Sequence, residues 1–252
     1  MNKNQCVTDG SSINVSNLAE FITDKLEEYI SNILNVYTWP SNGKRSNGRE
    51  TLAFRRTMSI CFGRISINKK SDDDVLNNKI EWVKEVLVWG GIHGNKEETI
   101  KDYAINAYEN FGKYRTGIAS WSKILAFQDL DKYFIYDYRV SFALNYMLSE
   151  LPNDEVTKYF FMPPSRRANA KEARQKLINK IRAKINKDIV KGSVKLNIQD
   201  SYRSYLQLIK EVVKCINEKR ERVNKEKITG QMVEMSLFMI FQCYEQSILH
   251  ED

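Results

Sequence analysis

Residues 120–144 read SWSKILAFQDLDKYFIYDYRVSFAL, and their pattern decides the fold. Ile124, Leu125 and Phe127 open an apolar run at helical spacing just after the turn-forming Arg115-Thr116-Gly117, so Lys123 is expected near a helix start. A polar stop from Gln128 to Lys132 is followed by the aromatic Tyr133-Phe134-Ile135-Tyr136. Asp137 then heads a second run in which Val140, Phe142, Ala143, Leu144 and Met147 recur near helical spacing, which makes it a candidate N-cap.

Working outward, the chain has 252 residues, 42% of them hydrophobic, with only 11 Gly and 4 Pro. So little turn punctuation in a chain long enough to bury a large core predicts one compact all-α unit. The formal charge of +7 points to an anionic partner, nucleic acid before an acidic membrane. No apolar run approaches the ~20 residues needed to span a bilayer. The polar MNKNQCVTDGSS at residues 1–12 lacks a signal peptide's apolar segment, so a cytoplasmic location is expected. Cys6, Cys61, Cys215 and Cys243 form no CxxC pair, so zinc and iron–sulfur sites are not expected and the thiols read as free.

Residues 1–13 read as a frayed tail. Asn17 with Glu20 is a candidate capping pair for a helix that ends near Trp39-Pro40. SNGKRSNGRE (41–50) reads as a polar loop, and the stretch from Thr51 to Ile67 fits either helix or strand. Asp72-Asp73-Asp74 suits a helix start better than a metal, because consecutive side chains diverge. WGGIHGN (89–95) is a glycine-rich connection that lacks the P-loop pattern. A helix from about Glu97 to Phe111 stops at Gly112. Residues 166–191 carry ten Lys/Arg against Glu172 and Asp188 on a helical pattern. Such a face suits solvent, anionic lipid or a phosphate backbone. Thr229 to Leu249 is the most apolar helix and should be central to the core.

The central stretch resembles the helix-hairpin-helix DNA glycosylases, the 8-oxoguanine DNA glycosylase type in particular. ASWSKILAF stands where that family has GVGTKVA, and IYDYRV where it has PVDVHV, a likeness covering about residues 112–150. The hairpin glycines are replaced here by Ala119 and Trp121, and the lysine-to-aspartate separation is short for the family. The resemblance implies an all-α, helix-hairpin-helix DNA glycosylase-like bundle of two closely packed helical lobes, with Asp137 as the catalytic aspartate and Lys123 as the catalytic lysine and with neither cofactor nor metal needed. The implied partner is double-stranded DNA carrying a damaged or modified base, phage DNA included, bound by a monomer.

Excision requires a carboxylate near C1′, where positive charge develops, and a base held outside the duplex between aromatic or apolar groups. Trp39, Trp89, His93, Trp121 and Tyr136 are the base-pocket candidates by type. Lys113, Arg115, Ser120, Ser122 and Arg139 around the hairpin, with Arg166, Arg167, Lys176, Lys180 and Lys184 of the basic segment, are the candidate DNA contacts. A non-catalytic helix-hairpin-helix DNA-binding protein is the alternative reading.

Overall fold

The computed structural model describes residues 13–41, 44–67, 72–110, 113–114, 116–153, 155–185 and 193–251. Ten helices and one two-stranded hairpin appear among them: α1 (Val15–Ile30), α2 (Ile33–Val36), β1 (Thr38–Ser41), β2 (Lys44–Asn47), α3 (Gly48–Ile67), α4 (Asp72–Trp89), α5 (Glu97–Asn110), α6 (Ile118–Gln128), α7 (Tyr138–Glu150), α8 (Ala170–Lys184), α9 (Ile198–Glu221) and α10 (Gly230–His250). The all-α expectation holds at this level. None of these helices is long and apolar enough to cross a membrane.

The helices pack in two sets. In one, α4 and α6 pack on each other and each packs on α3 and α5; in the other, α1 lies along α9, and α10 packs on α7, α8 and α9. The apolar faces explain this, since Leu18, Ile22, Leu26 and Ile30 of α1 and Leu208, Ile209, Val212 and Ile216 of α9 are buried stripes at helical spacing. On α10, Val233, Met235, Leu237, Phe238, Ile240 and Phe241 are all buried, as expected for the helix at the centre.

Several local expectations are corrected. The α1 cap is Asn14, whose side chain accepts from Asn17 N–H, so the cap lies three residues before the Asn17–Glu20 pair. Ile13 is buried rather than part of a frayed tail. Helix α1 stops at Ile30, and Trp39-Pro40 belongs to a hairpin in which Thr38 pairs with Asn47 and Ser41 with Lys44. Residues 51–67 are helix. The aspartates 72–74 occupy the first turn of α4, where their charge favours the helix dipole. Residues 1–12, Arg115 and Gly112 lie outside the described residues.

Candidate active site

Asp137 is the N-cap of α7: its Oδ1 accepts Arg139 N–H at 2.9 Å and Val140 N–H at 3.1 Å. Capping is local chemistry, because the carboxylate oxygen satisfies amides two and three residues on that the helix cannot. The carboxylate is half-buried.

What leads into Asp137 is less ordinary. Tyr133, Phe134, Ile135 and Tyr136 form an irregular, non-helical strap that is buried throughout. Buried backbone outside regular structure must find partners for its polar groups, and here side chains of three helices supply them. Tyr202 of α9 donates its hydroxyl to Phe134 O at 3.1 Å, and Tyr205 donates to Ile135 O at 3.0 Å. Glu234 of α10 accepts Ile135 N–H at 2.9 Å. Ser122 of α6 accepts Tyr136 N–H at 3.1 Å and donates to Tyr136 O at 3.4 Å. The residue before the N-cap is therefore fixed from several sides, and the aspartate's position follows from it.

Glu234 is itself paired. Arg55 of α3 binds it in a fork, Nη1 to Oε2 at 3.1 Å and Nη2 to Oε1 at 2.8 Å, with only 1% of Arg55 and 3% of Glu234 exposed. Burial pulls the guanidinium's pKa down, but the charge and hydrogen bond of Glu234 together with Tyr37 and Tyr205 more than offset it, so the pKa is raised and Arg55 stays charged. Its guanidinium lies 5.4 Å from the Trp89 ring centroid and 5.8 Å from that of Phe127.

Lys123 does not sit near a helix start. Gly117, at φ 71°, is the cap of α6, and the helix runs from Ile118, which places Lys123 well inside it. The side chain is 3% exposed, and Nζ donates to Ala119 O at 2.8 Å. Gly90 makes the room: a Cβ there would stand 2.6 Å from Lys123 Cδ. Burial lowers the Lys123 pKa, the Asp137 and Glu234 carboxylates oppose that, and Arg55 and Arg139 add to it. The Asp137 charge also reaches Tyr37, Tyr205 and Arg139. Lysine, aspartate and the Arg55–Glu234 pair thus share one electrostatic neighbourhood assembled from α3, α6, α7 and α10. No family model, curated protein or solved structure matches this chain.

The aromatic candidates are built into the core. Trp39 stacks on Trp89 at 4.8 Å and donates Nε1–H to Trp89 O at 2.8 Å. Trp121 is fully buried between Tyr114 and Tyr202 and donates to Thr116 O at 3.0 Å. Tyr136, also fully buried, donates its hydroxyl to Phe161 O at 2.7 Å. These four rings hold the strap and its surroundings in place. His93 is exposed in the connection between α4 and α5.

Of the candidate DNA contacts, Lys113 and Arg166 are exposed and Ser120 is half-buried against the Tyr103 hydroxyl. Ser122 is spent on Tyr136, and Arg139 lies over the Phe238 ring at 4.3 Å, where burial lowers its pKa. Arg167 pairs with Glu245 at 2.7 Å. Lys176 donates to Leu249 O at 3.0 Å and Glu251 O at 3.1 Å, and Lys184 to Leu151 O at 2.8 Å. Lys180 bridges Glu150 and Glu251 at 3.0 and 2.8 Å. These three lysines tie α8 to the ends of α7 and α10, so that face of the basic helix is stitching. Among the described residues no group of three His, Cys, Asp or Glu is placed to hold a metal ion.

Proposed function

We propose that the protein is a DNA N-glycosylase of the helix-hairpin-helix kind, acting on a damaged or modified base, with Asp137 as the catalytic carboxylate. The observation that carries the reading is the seat of Asp137: a half-buried N-cap carboxylate at the end of a strap whose backbone groups are bound by Ser122, Tyr202, Tyr205 and Glu234. A charge held so firmly needs little rearrangement when positive charge develops on the deoxyribose. The resemblance over about residues 112–150 and the net charge of +7 support DNA as the partner.

In this reading water is the nucleophile. The bond between C1′ and the base breaks, the base leaves with the electron pair, Asp137 stabilises the sugar cation and takes a proton from the water that adds to C1′. Lys123 is set against the role of nucleophile by its 3% exposure and its bond to Ala119 O. Its lowered pKa is the one observation that favours lysine attack and strand cleavage.

The test is incubation with duplexes and phage DNAs carrying a panel of modified purines and pyrimidines, with mass analysis of released bases. Release of a free base leaving an intact abasic strand supports the reading. No release from any substrate contradicts it, and salt-dependent binding without release points to the non-catalytic alternative.

A further inference from the structure

Residues 158–161 form a second fixed stretch, on the far side of Tyr136. Tyr159 donates its N–H to Val194 O at 2.9 Å and accepts Leu196 N–H at 3.0 Å. Asn145 of α7 grips Phe160 through both backbone groups, at 2.9 and 3.0 Å. Phe161 N–H donates to Ser201 Oγ of α9 at 2.8 Å, and Phe161 O accepts the Tyr136 hydroxyl at 2.7 Å. These bonds make a rigid floor that is bonded directly to the residue before Asp137.

Cations lie on this floor. Lys195 Nζ stands 4.7 Å from the Phe161 ring centroid. The Arg182 guanidinium stands 5.9 Å from the Tyr159 centroid and donates to its hydroxyl at 3.3 Å. Three hollows of about 530, 340 and 480 Å³ adjoin here, the first two sharing Phe161 and Lys195 as walls, the second and third sharing Arg182. Lys158 lines the first and Arg174 the second. Among the described residues Asp200 is the one carboxylate in the lining, and it is held by Asn197 Nδ2 at 2.6 Å and faces Arg203 at 3.5 Å. Among the described residues none of Lys158, Arg174, Arg182 and Lys195 pairs with a carboxylate, whereas Lys180 on the adjoining face of α8 holds two.

We infer that this groove is a binding track for the phosphate backbone of duplex DNA, with Lys158, Arg174, Arg182 and Lys195 as its contacts. Three adjoining hollows exceed what one small anion fills, and four cations beside a single carboxylate already held by Asn197 suit a ligand with regularly repeated charge. The rings beneath are covered by Lys195 and Arg182, and Tyr159 is buried, so they are not open platforms for unpaired bases. The groove reads backbone and no sequence. The choice of duplex DNA among polyanions rests on the glycosylase reading; the clustering of charge does not.

The test uses the full chain and an unmodified duplex, so its result does not depend on excision. The affinity is measured across salt concentrations, with melting temperature as the check on folding. The triple variant Lys158→Gln/Arg174→Gln/Lys195→Gln is expected to flatten the slope of log affinity against log salt by about 3, roughly one per charge removed. Arg182→Gln, which also loses the Tyr159 contact, should flatten it by about 1, and Lys180→Gln should leave it unchanged. An unchanged slope in a folded triple variant overturns the proposal, as does an equal loss with Lys180→Gln. Loss of binding to anionic phospholipid vesicles in the triple variant, with duplex binding intact, also overturns it. If the slope flattens as expected but no base is released from any substrate, the track stands and the glycosylase reading alone fails.

Discussion

Ile135 gives its amide hydrogen to Glu234 at 2.9 Å across 99 positions of sequence, and the same Oε2 takes Arg55 Nη1 at 3.1 Å. One carboxylate on the central helix thereby joins α3 to the strap that delivers Asp137. The ion pair is formed between groups almost wholly removed from water, so its worth depends on both partners being present.

Glu234→Gln is expected to destabilise the protein by about 3–5 kcal/mol, because it leaves the Arg55 charge buried without its counter-charge. Arg55→Met should cost a similar amount, for the converse reason. The double variant Arg55→Met/Glu234→Gln, which keeps an acceptor for the Ile135 N–H while removing both charges, should recover most of the loss, which chemical denaturation of the three proteins would measure. A Glu234→Gln protein as stable as wild type would mean that the pair is solvated.

Ser122→Ala removes the acceptor of the buried Tyr136 N–H, which should cost about 1–3 kcal/mol. Because Tyr136 precedes Asp137, kcat for base release should fall while KM changes little. Steady-state kinetics at a temperature where the variant is fully folded checks this. A variant that is less stable but has unchanged kcat would show that the strap supports the fold without aiming the aspartate.

Burial lowers the Lys123 pKa in the folded chain. Between that lowered value and the ordinary value of about 10.4 the unfolded chain binds more protons. Stability conferred by this group is therefore fully present above about 10.4 and is lost as pH falls through the folded value. Lys123→Met removes the penalty, so it should be more stable than wild type at neutral pH, with an advantage that shrinks as pH approaches about 10.4. Melting temperatures of both proteins across pH test this, and a destabilised Lys123→Met at neutral pH would contradict it.

With water as nucleophile, borohydride should trap no covalent protein–DNA adduct, and Lys123→Gln should retain base release. Efficient trapping that disappears in Lys123→Gln would assign the attack to the lysine instead.

The Asp137 cap is legible in the sequence because its hydrogen bonds close within three residues. Lys123 is misplaced by the sequence pattern, since Gly117 starts α6 directly and the residues from Ile118 to Trp121, which pass for hairpin, form its first turn. Helical spacing groups Lys176, Lys180 and Lys184 on one face of α8. The carbonyls and carboxylates that hold them come from the ends of α7 and α10, about 30 to 75 residues away, and spacing carries no such information. Arg55 and Glu234 are separated by 179 positions, yet one signal was present: a single carboxylate in MVEMSLF, inside the most apolar helix, must have a buried partner. Periodicity does not say which cation that is.

Asp137→Asn separates the charge of Asp137 from its capping role, because asparagine caps a helix as well as aspartate does while lacking the charge. Fold stability should change by less than about 1 kcal/mol and duplex affinity should stay near that of wild type. The single-turnover rate of base release should drop by about 10²–10³-fold or more, the scale of losing a preorganised electrostatic group. A folded Asp137→Asn protein that releases base at the wild-type rate would contradict the account.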